Sequence, residues 1–201
     1  MKTVFRKIGK HLWVYLAWIL VVTVFWSWVF GILTRVPDEE KITVFLGTRS
    51  GSFEKYAELN EARPDYVREL ELSVHAVGEP YFSDFLGTFG NGEADILILP
   101  ESRLDDASVA ALYAEIAPFY CEELPNLGLL EKDGRVYGLR VHDKETHESL
   151  VSCLDYGEGD TEENYYLLFN RKSLHLGDLS PASGVTDRNG AIAIAKRLLS
   201  L

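Results

Sequence analysis

The sequence predicts an α/β domain carried behind a single membrane-spanning helix, and three features carry that expectation. Leu12 to Leu33 contains no charged residue. Residues 41 to 100 alternate segments rich in β-branched and aromatic residues with helix-like segments, the pattern of parallel strands joined by helical crossovers. The stretch Asn91 to Ser102, NGEADILILPES, holds an apolar run with little alternation, as expected for a strand covered on both faces.

The first feature sets the compartment. At ~1.5 Å per residue, the 22 residues from Leu12 to Leu33 reach ~33 Å, enough for a hydrocarbon core of ~30 Å. All four tryptophans (Trp13, Trp18, Trp26 and Trp28) and Tyr15 lie in this stretch, where some can anchor at the membrane interface. A cleaved secretory signal is the alternative reading. Its apolar core usually runs to roughly 7 to 15 residues, and no small-x-small site follows this one. Nor does a cysteine near its end suggest a lipoprotein. Lys2, Arg6, Lys7 and Lys10 precede the span and Asp38-Glu39-Glu40 follows it, so the positive-inside rule places the N-terminus in the cytoplasm. The expected organisation is therefore a basic cytoplasmic segment 1–11, a membrane helix 12–33, a linker 34–40 and an extracytoplasmic domain 41–201.

That domain is acidic. The net charge of -11 includes five bases and no acid in the first 36 residues, which leaves -16 on the rest. Such a surface repels a polyanion, so nucleic acid is an unsuitable partner.

Lys41 to Leu46 (KITVFL) reads as the first strand, ended by a turn over Gly47 to Gly51. Ser50 or Ser52 is placed to cap a helix from Phe53 to about Arg63, which Pro64 ends. Glu69 to Val77 is a second strand with Leu70, Leu72, Val74 and Ala76 on one face, so its other side is expected to be less covered. Gly78-Glu79-Pro80 closes it. Phe82, Phe85, Leu86 and Phe89 recur at helical spacing and predict a short helix from Tyr81 to Phe89, stopped at Asn91-Gly92. The strand from Ala94 to Leu99 follows, with Pro100 ending its ladder. Asp105-Asp106 opens another helix, with Val109, Leu112, Tyr113 and Ile116 inward and Pro118 interrupting it. In the second half, Gly134 to Val141, Ser149 to Tyr156 and Asn164 to Asn170 read as three further strands, adding antiparallel members to make a mixed sheet. Asp155 to Asn164 forms an acidic connection, and Ala191 to Leu201 a closing amphipathic helix.

Several segments, in this order, resemble extracellular solute-binding proteins of ABC transporters, the type II periplasmic-binding fold. KITVFLGT resembles their first strand, and ELSVHAVGEPYFSDFLGTFGNGEADILILP their second strand, helix and third strand. KDGRVYGLRV is similar to their DGKVYGIP segment, and NYYLLFNRKSLHLG with AIAIAKRLL to the returning strand, turn and terminal helix. The resemblance covers most of residues 41 to 200. It implies a non-enzymatic, extracytoplasmic binding protein whose strand ends face a ligand. Such proteins close two lobes around a solute, whereas only ~25 residues separate VYGLRV from NYYLLFN here, where a second lobe requires on the order of 100. A single periplasmic-binding-protein-like lobe is expected, one that binds a small solute weakly or with a second copy. The alternative is an interaction module that has lost ligand capture and holds another membrane protein.

The candidate ligand rim comprises Thr48, Arg49 and Ser50 after the first strand, Glu79 and Tyr81 after the second, and Glu101, Ser102 and Arg103 after the third. Two guanidinium groups, hydroxyls and a carboxylate on one rim suit a carboxylate or a polyol. The competing reading is a solvated edge on which Arg49 or Arg103 pairs with a nearby acid. His142, Asp143, His147 and Glu148 lack the spacing of a zinc site, and the acidic run lacks a calcium-loop ladder, so no metal and no cofactor is expected. No catalytic constellation is marked by context, and His75, within a strand, reads as packed. Cys121 and Cys153 could pair in an oxidising compartment.

Overall fold

In the computed structural model, residues 12–50, 53–179 and 188–201 are described; the basic segment 1–11 and the candidate cap Ser52 lie outside them. Two compact units divide at Pro37 and Asp38. The first contains α1 (Leu12–Thr34), 23 residues with none buried and none charged. Both of its threonine hydroxyls are satisfied within the helix: those of Thr23 and Thr34 donate to the carbonyls of Ile19 and Phe30 at 2.8 and 2.7 Å. Such back-bonding is what an apolar surrounding requires of a hydroxyl. The helix is long and apolar enough to cross a membrane.

The second unit is built on a mixed sheet. Its strands, in chain order, are β1 (Lys41–Thr48), β2 (Glu69–Ala76), β3 (Ile96–Pro100), β4 (Leu129–Lys132), β5 (Arg135–Asp143), the two-residue β6 (Glu148–Ser149) and β7 (Tyr165–Phe169). Their spatial order is β2-β1-β3-β7-β5-β4, with β6 on the end of β5. β1 pairs in parallel with β2 and β3, while β7 returns antiparallel between β3 and β5. The expected parallel nucleus of three strands and the antiparallel additions are thus present in one mixed sheet flanked by helices.

Both faces of the sheet are covered, and alternate residues of the central strands serve the two layers. Ile42, Val44 and Leu46, with Ile96 and Ile98, pack into one core with Leu59 of α2 (Tyr56–Glu61) and Ile192, Ala195 and Leu198 of the last helix. Phe45, Leu97 and Leu99 face the other, against Phe82 of α3 (Phe82–Phe85), Leu86, and Val109 and Tyr113 of the 106–113 region. Because every residue of β3 is buried, neither face can take a charge. This explains its nearly continuous apolar sequence.

Several local expectations are corrected. β1 continues through Gly47, which is not a turn residue. A Cβ there would meet the Phe82 ring at 2.9 Å, so glycine serves close packing. The helix after β1 is only Tyr56–Glu61, preceded by Lys55 with no side-chain cap. The helix from residue 82 does not stop at Asn91-Gly92. It passes through a π turn, Leu86–Gly90, into α4 (Asn91–Glu93), with Asn91 in ordinary right-handed geometry. A π turn adds one residue and rotates the side chains beyond it about the helix axis. Phe89 is consequently 40% exposed, and Gly90 packs where an added Cβ would lie 2.7 Å from Leu86 and 3.5 Å from Phe45. α5 is Asp106–Leu112, and Pro118, rather than interrupting it, opens α6 (Pro118–Glu123) at its first turn, where a missing N–H costs nothing. Residues 149–156 form no strand beyond Ser149: Val151, Leu154 and Tyr156 are buried from a run of turns. Conversely, Leu129–Lys132 is a strand, joined to β5 by Asp133 and Gly134 with φ of 53° and 74°, the left-handed pair of a two-residue hairpin. α7 (Gly190–Leu198) closes the fold.

Candidate functional site

β1, β3 and β5 end along the same side of the sheet, the side on which β7 begins, because β7 runs against its neighbours. β1 connects outward to β2, whereas the chain leaving β3 goes the other way, making the gap between their ends a topological switch point. Ligands of open α/β sheets sit at such points.

The segment leading into β7 lies over this edge. The Arg49 N–H donates to the Asp155 carbonyl at 2.9 Å. Its guanidinium Nη2 donates to the Thr161 carbonyl and to Glu163 Oε1, the latter at 3.3 Å. The other oxygen of Glu163 accepts the backbone N–H of Ser102 at 3.1 Å. Glu163 thus ties the exit of β1 to that of β3. Next to it, the Glu101 N–H donates to the Asn164 carbonyl at 2.9 Å, and Asn164 Nδ2 donates to Glu101 Oε2 at 2.8 Å. Tyr165 begins β7 with its ring fully buried. Its hydroxyl and Arg49 Nε are both buried; neither makes a well-formed hydrogen bond, and the Arg49 guanidinium is itself a close polar neighbour of the phenol. Burial pushes the Tyr165 phenol up to about 12, while the nearby Arg49 charge pulls the other way.

A second set of contacts fastens the same segment to β5 and β6. A register shift between Arg140 and His142, opposite Tyr166 and Tyr165, breaks the alternation of β5, as bulges do when they re-aim a side chain. His142 is buried, stacked on Tyr156 at 4.3 Å with the rings 3° from parallel. Its Nε2 lies 3.0 Å from Glu162 Oε1 and its Nδ1 2.7 Å from Ser149 Oγ. A carboxylate can only accept, so Nε2 carries a proton and donates to Glu162, while Nδ1 shares a hydrogen bond with the serine hydroxyl. His147, held at φ 58° in the β5–β6 turn, places Nδ1 2.9 Å from the same Glu162 oxygen. The His147 hydrogen bond, chiefly, holds the Glu162 carboxyl below the usual glutamate range. With both ring nitrogens engaged and its face covered, His142 locks the segment in place. Among the described residues, no group of three or more His, Cys, Asp or Glu side chains has metal-holding geometry.

The expected rim residues divide among different partners. Thr48 is fully buried and its carbonyl accepts the Val77 N–H at 2.8 Å. Arg49, Glu101 and Ser102 meet on the 161–164 segment. Arg103 turns elsewhere: Nη2 donates to the Val77 carbonyl at 3.1 Å, and its guanidinium lies 5.3 Å from the centre of the Phe82 ring. The two arginines therefore engage different partners. Ser50 and Glu79 are exposed, and Tyr81 is 67% exposed. Glu162, Glu163 and Asn164 were not expected from the sequence. The signal available for them was position, since residues just before an antiparallel β7 must arrive at the carboxyl end of β3. Cys121 and Cys153 are free, half-buried thiols rather than a disulfide in this structure, and burial raises both.

No protein-family model matches the chain, and no curated protein matches it in sequence. Among solved structures, a similar one is the maltose/maltodextrin-binding domain MalE from Bdellovibrio bacteriovorus bound to maltotriose. It is 12% identical, with a TM-score of 0.36 over 51% of this chain and 28% of that one. This is a weak and partial likeness to a binding-protein fold, and the chain spans well under half the length of that neighbour.

Proposed function

We propose that the chain is a non-enzymatic, membrane-tethered recognition module, with α1 anchored in the bilayer, the N-terminus in the cytoplasm and the α/β domain outside it. Recognition is assigned to the carboxyl edge of β1 and β3. The observation that carries this reading is the convergence at the switch point of a guanidinium from the end of β1 and a backbone N–H from the end of β3. Donors from separate strand exits, aimed at one place, are the chemistry with which an α/β sheet recognises a small polar solute. The apolar, unbroken α1 supports the anchor, and the bases before it support the orientation.

A second reading, an interaction module that docks another membrane protein or a second copy, is favoured by one observation: residues 155–164 already engage that edge. Two experiments separate these readings. The full-length protein in detergent is melted against panels of sugars, amino acids and organic acids. A saturable rise in midpoint that disappears in Arg49→Ala supports solute recognition. No rise across the panel, with a specific neighbour trapped by cross-linking in intact membranes, supports docking. Protease added to intact protoplasts is expected to remove the α/β domain, and full protection would reverse the orientation.

A further inference from the structure

Glu163 is held in an unusual way for a residue of an acidic loop. Each of its carboxylate oxygens faces a different donor, Oε1 the Arg49 guanidinium and Oε2 the Ser102 N–H. These donors come from two strand exits far apart in sequence. The Glu163 side chain is only 19% exposed, so the carboxylate is largely taken out of water. A desolvated carboxylate gripped by a guanidinium and a backbone N–H is the arrangement a binding site makes with an acidic ligand. Beside it, Arg49 Nε and the Tyr165 hydroxyl are buried polar atoms that Glu163 does not satisfy and that make no well-formed hydrogen bond, although the guanidinium lies close to the phenol. Hydrogen-bonding capacity at this edge is thus only poorly used, whereas buried polar atoms are ordinarily well paired.

We propose that Glu163 is a built-in occupant of a carboxylate-binding site, and that a small-molecule carboxylate binds by replacing it between Arg49 and Ser102. This inference rests on the reading of the edge as a recognition site and names the class of ligand. The chain around the site permits the exchange. Glu162 is anchored independently by His142 and His147, and Asn164 by Glu101, so Glu163 can swing out by side-chain rotation while its neighbours keep the segment in place. Charge selects the ligand. One negative charge can replace another between Arg49 and Ser102, but a phosphate dianion would add a second charge that a single guanidinium does not offset. Glu163 also sets the affinity, because a tethered competitor acts at an effective concentration on the order of millimolar.

The test uses propionate, the side chain of glutamate as a free molecule, with full-length protein in detergent. Thermal midpoints are measured for wild type, Glu163→Ala, Glu163→Gln and Glu163→Ala/Arg49→Ala against propionate, propionamide and inorganic phosphate. Wild type is expected to show a saturable rise with propionate alone. Glu163→Ala should reach half-saturation at roughly a tenfold lower concentration, because the intramolecular competitor is gone. Glu163→Gln, which preserves the shape if the alanine variant folds poorly, should fall between them. The double variant should not respond. A response in Glu163→Ala but none in wild type would overturn the proposal, since the carboxylate would then merely refill a cavity. Equal responses to propionamide or to phosphate would overturn it also. If carboxylates fail while another solute gives a shift that Arg49→Ala abolishes, the ligand class is wrong and the recognition edge stands. If nothing shifts the midpoint, both fall.

Discussion

The two ends of the central strand β3 are fastened in opposite ways. At its amino end, Asp95 is 7% exposed and forms four short contacts. Its carboxylate accepts the Thr43 N–H at 2.8 Å and the Ser173 hydroxyl at 2.6 Å. Its own N–H donates to the Thr43 carbonyl, and its carbonyl accepts the Asn170 N–H. These bonds join β1, β3 and the turn after β7 around one buried side chain. At the carboxyl end, Glu163 and Arg49 do the joining, both partly open to water. Enclosed bonds are costly to break because water cannot replace them, whereas an ion pair that water still reaches contributes less net stability. The amino end therefore contributes more to the fold, and the carboxyl end is where the proposed exchange of partners costs least.

The largest expected effect breaks the amino end. Asp95→Ala strands the Thr43 N–H and the Ser173 hydroxyl in the interior and should cost about 2–4 kcal/mol in urea unfolding. Asp95→Asn should cost far less, because its carbonyl can accept from Thr43 while its amide donates to Ser173. pH separates the two states further. Burial, above all, raises the Asp95 carboxyl above the usual aspartate range, so the folded protein holds that proton more tightly than the unfolded one. The stability this group contributes is complete at low pH and is lost as pH rises through its folded value. Asp95→Asn should accordingly gain on wild type from pH 4 towards pH 8, and parallel profiles would refute this assignment.

Next in size is the lock over the carboxyl end. His142→Ala removes a buried stacked ring and both of its hydrogen bonds, with an expected loss of about 2–3 kcal/mol. Amide hydrogen exchange should quicken in residues 155–164 before the rest of the domain, and uniform quickening would mean that His142 supports the whole core. The Glu162 carboxyl, held below its usual range chiefly by His147, contributes stability above the unfolded glutamate value and loses it as pH falls through the lower folded value. The segment should therefore loosen on acidification below about pH 4, an effect absent from Glu162→Gln.

The contrast between the ends also explains what the sequence reveals. β1, β3 and β7 are legible because strands buried on both faces must be apolar throughout, so Ile42, Val44, Leu97 and Leu168 identify themselves. Phe82, Phe85, Leu86 and Phe89 suggest an ordinary helix, since a π turn changes the count of residues and not their type. The turn ends at Gly90, which packs too closely against Leu86, Leu97 and Phe45 for a side chain. The strand Leu129–Lys132 was signalled by the Asp133-Gly134 turn, but Leu129-Leu130 is too short a run to stand out. At the site, Arg49 and Ser102 are legible as residues just past strand ends. Glu163 is not, because its partners are 114 and 61 residues away. Within DYGEGDTEEN, nothing local distinguishes an acid that reaches into the sheet edge from one that faces water.

The smallest expected effect sharpens the comparison within the carboxyl end itself. Arg103 and Arg49 both follow strands of the parallel nucleus, yet Arg103 donates to the Val77 carbonyl and lies over Phe82, contacts that support the turn after β2. Arg103→Ala should cost about 1 kcal/mol, less than the full values of a charge-assisted hydrogen bond and a cation–π contact because the Arg103 side chain is exposed to water, and should leave any carboxylate response unchanged. Arg49→Ala should show the reverse: a small change in unfolding free energy, because water reaches the pair and screens it, and loss of the response. If Arg103→Ala removed the response as well, the two guanidinium groups would act on one ligand despite their separate partners here, and the division of this edge into a structural and an exchangeable arginine would fail.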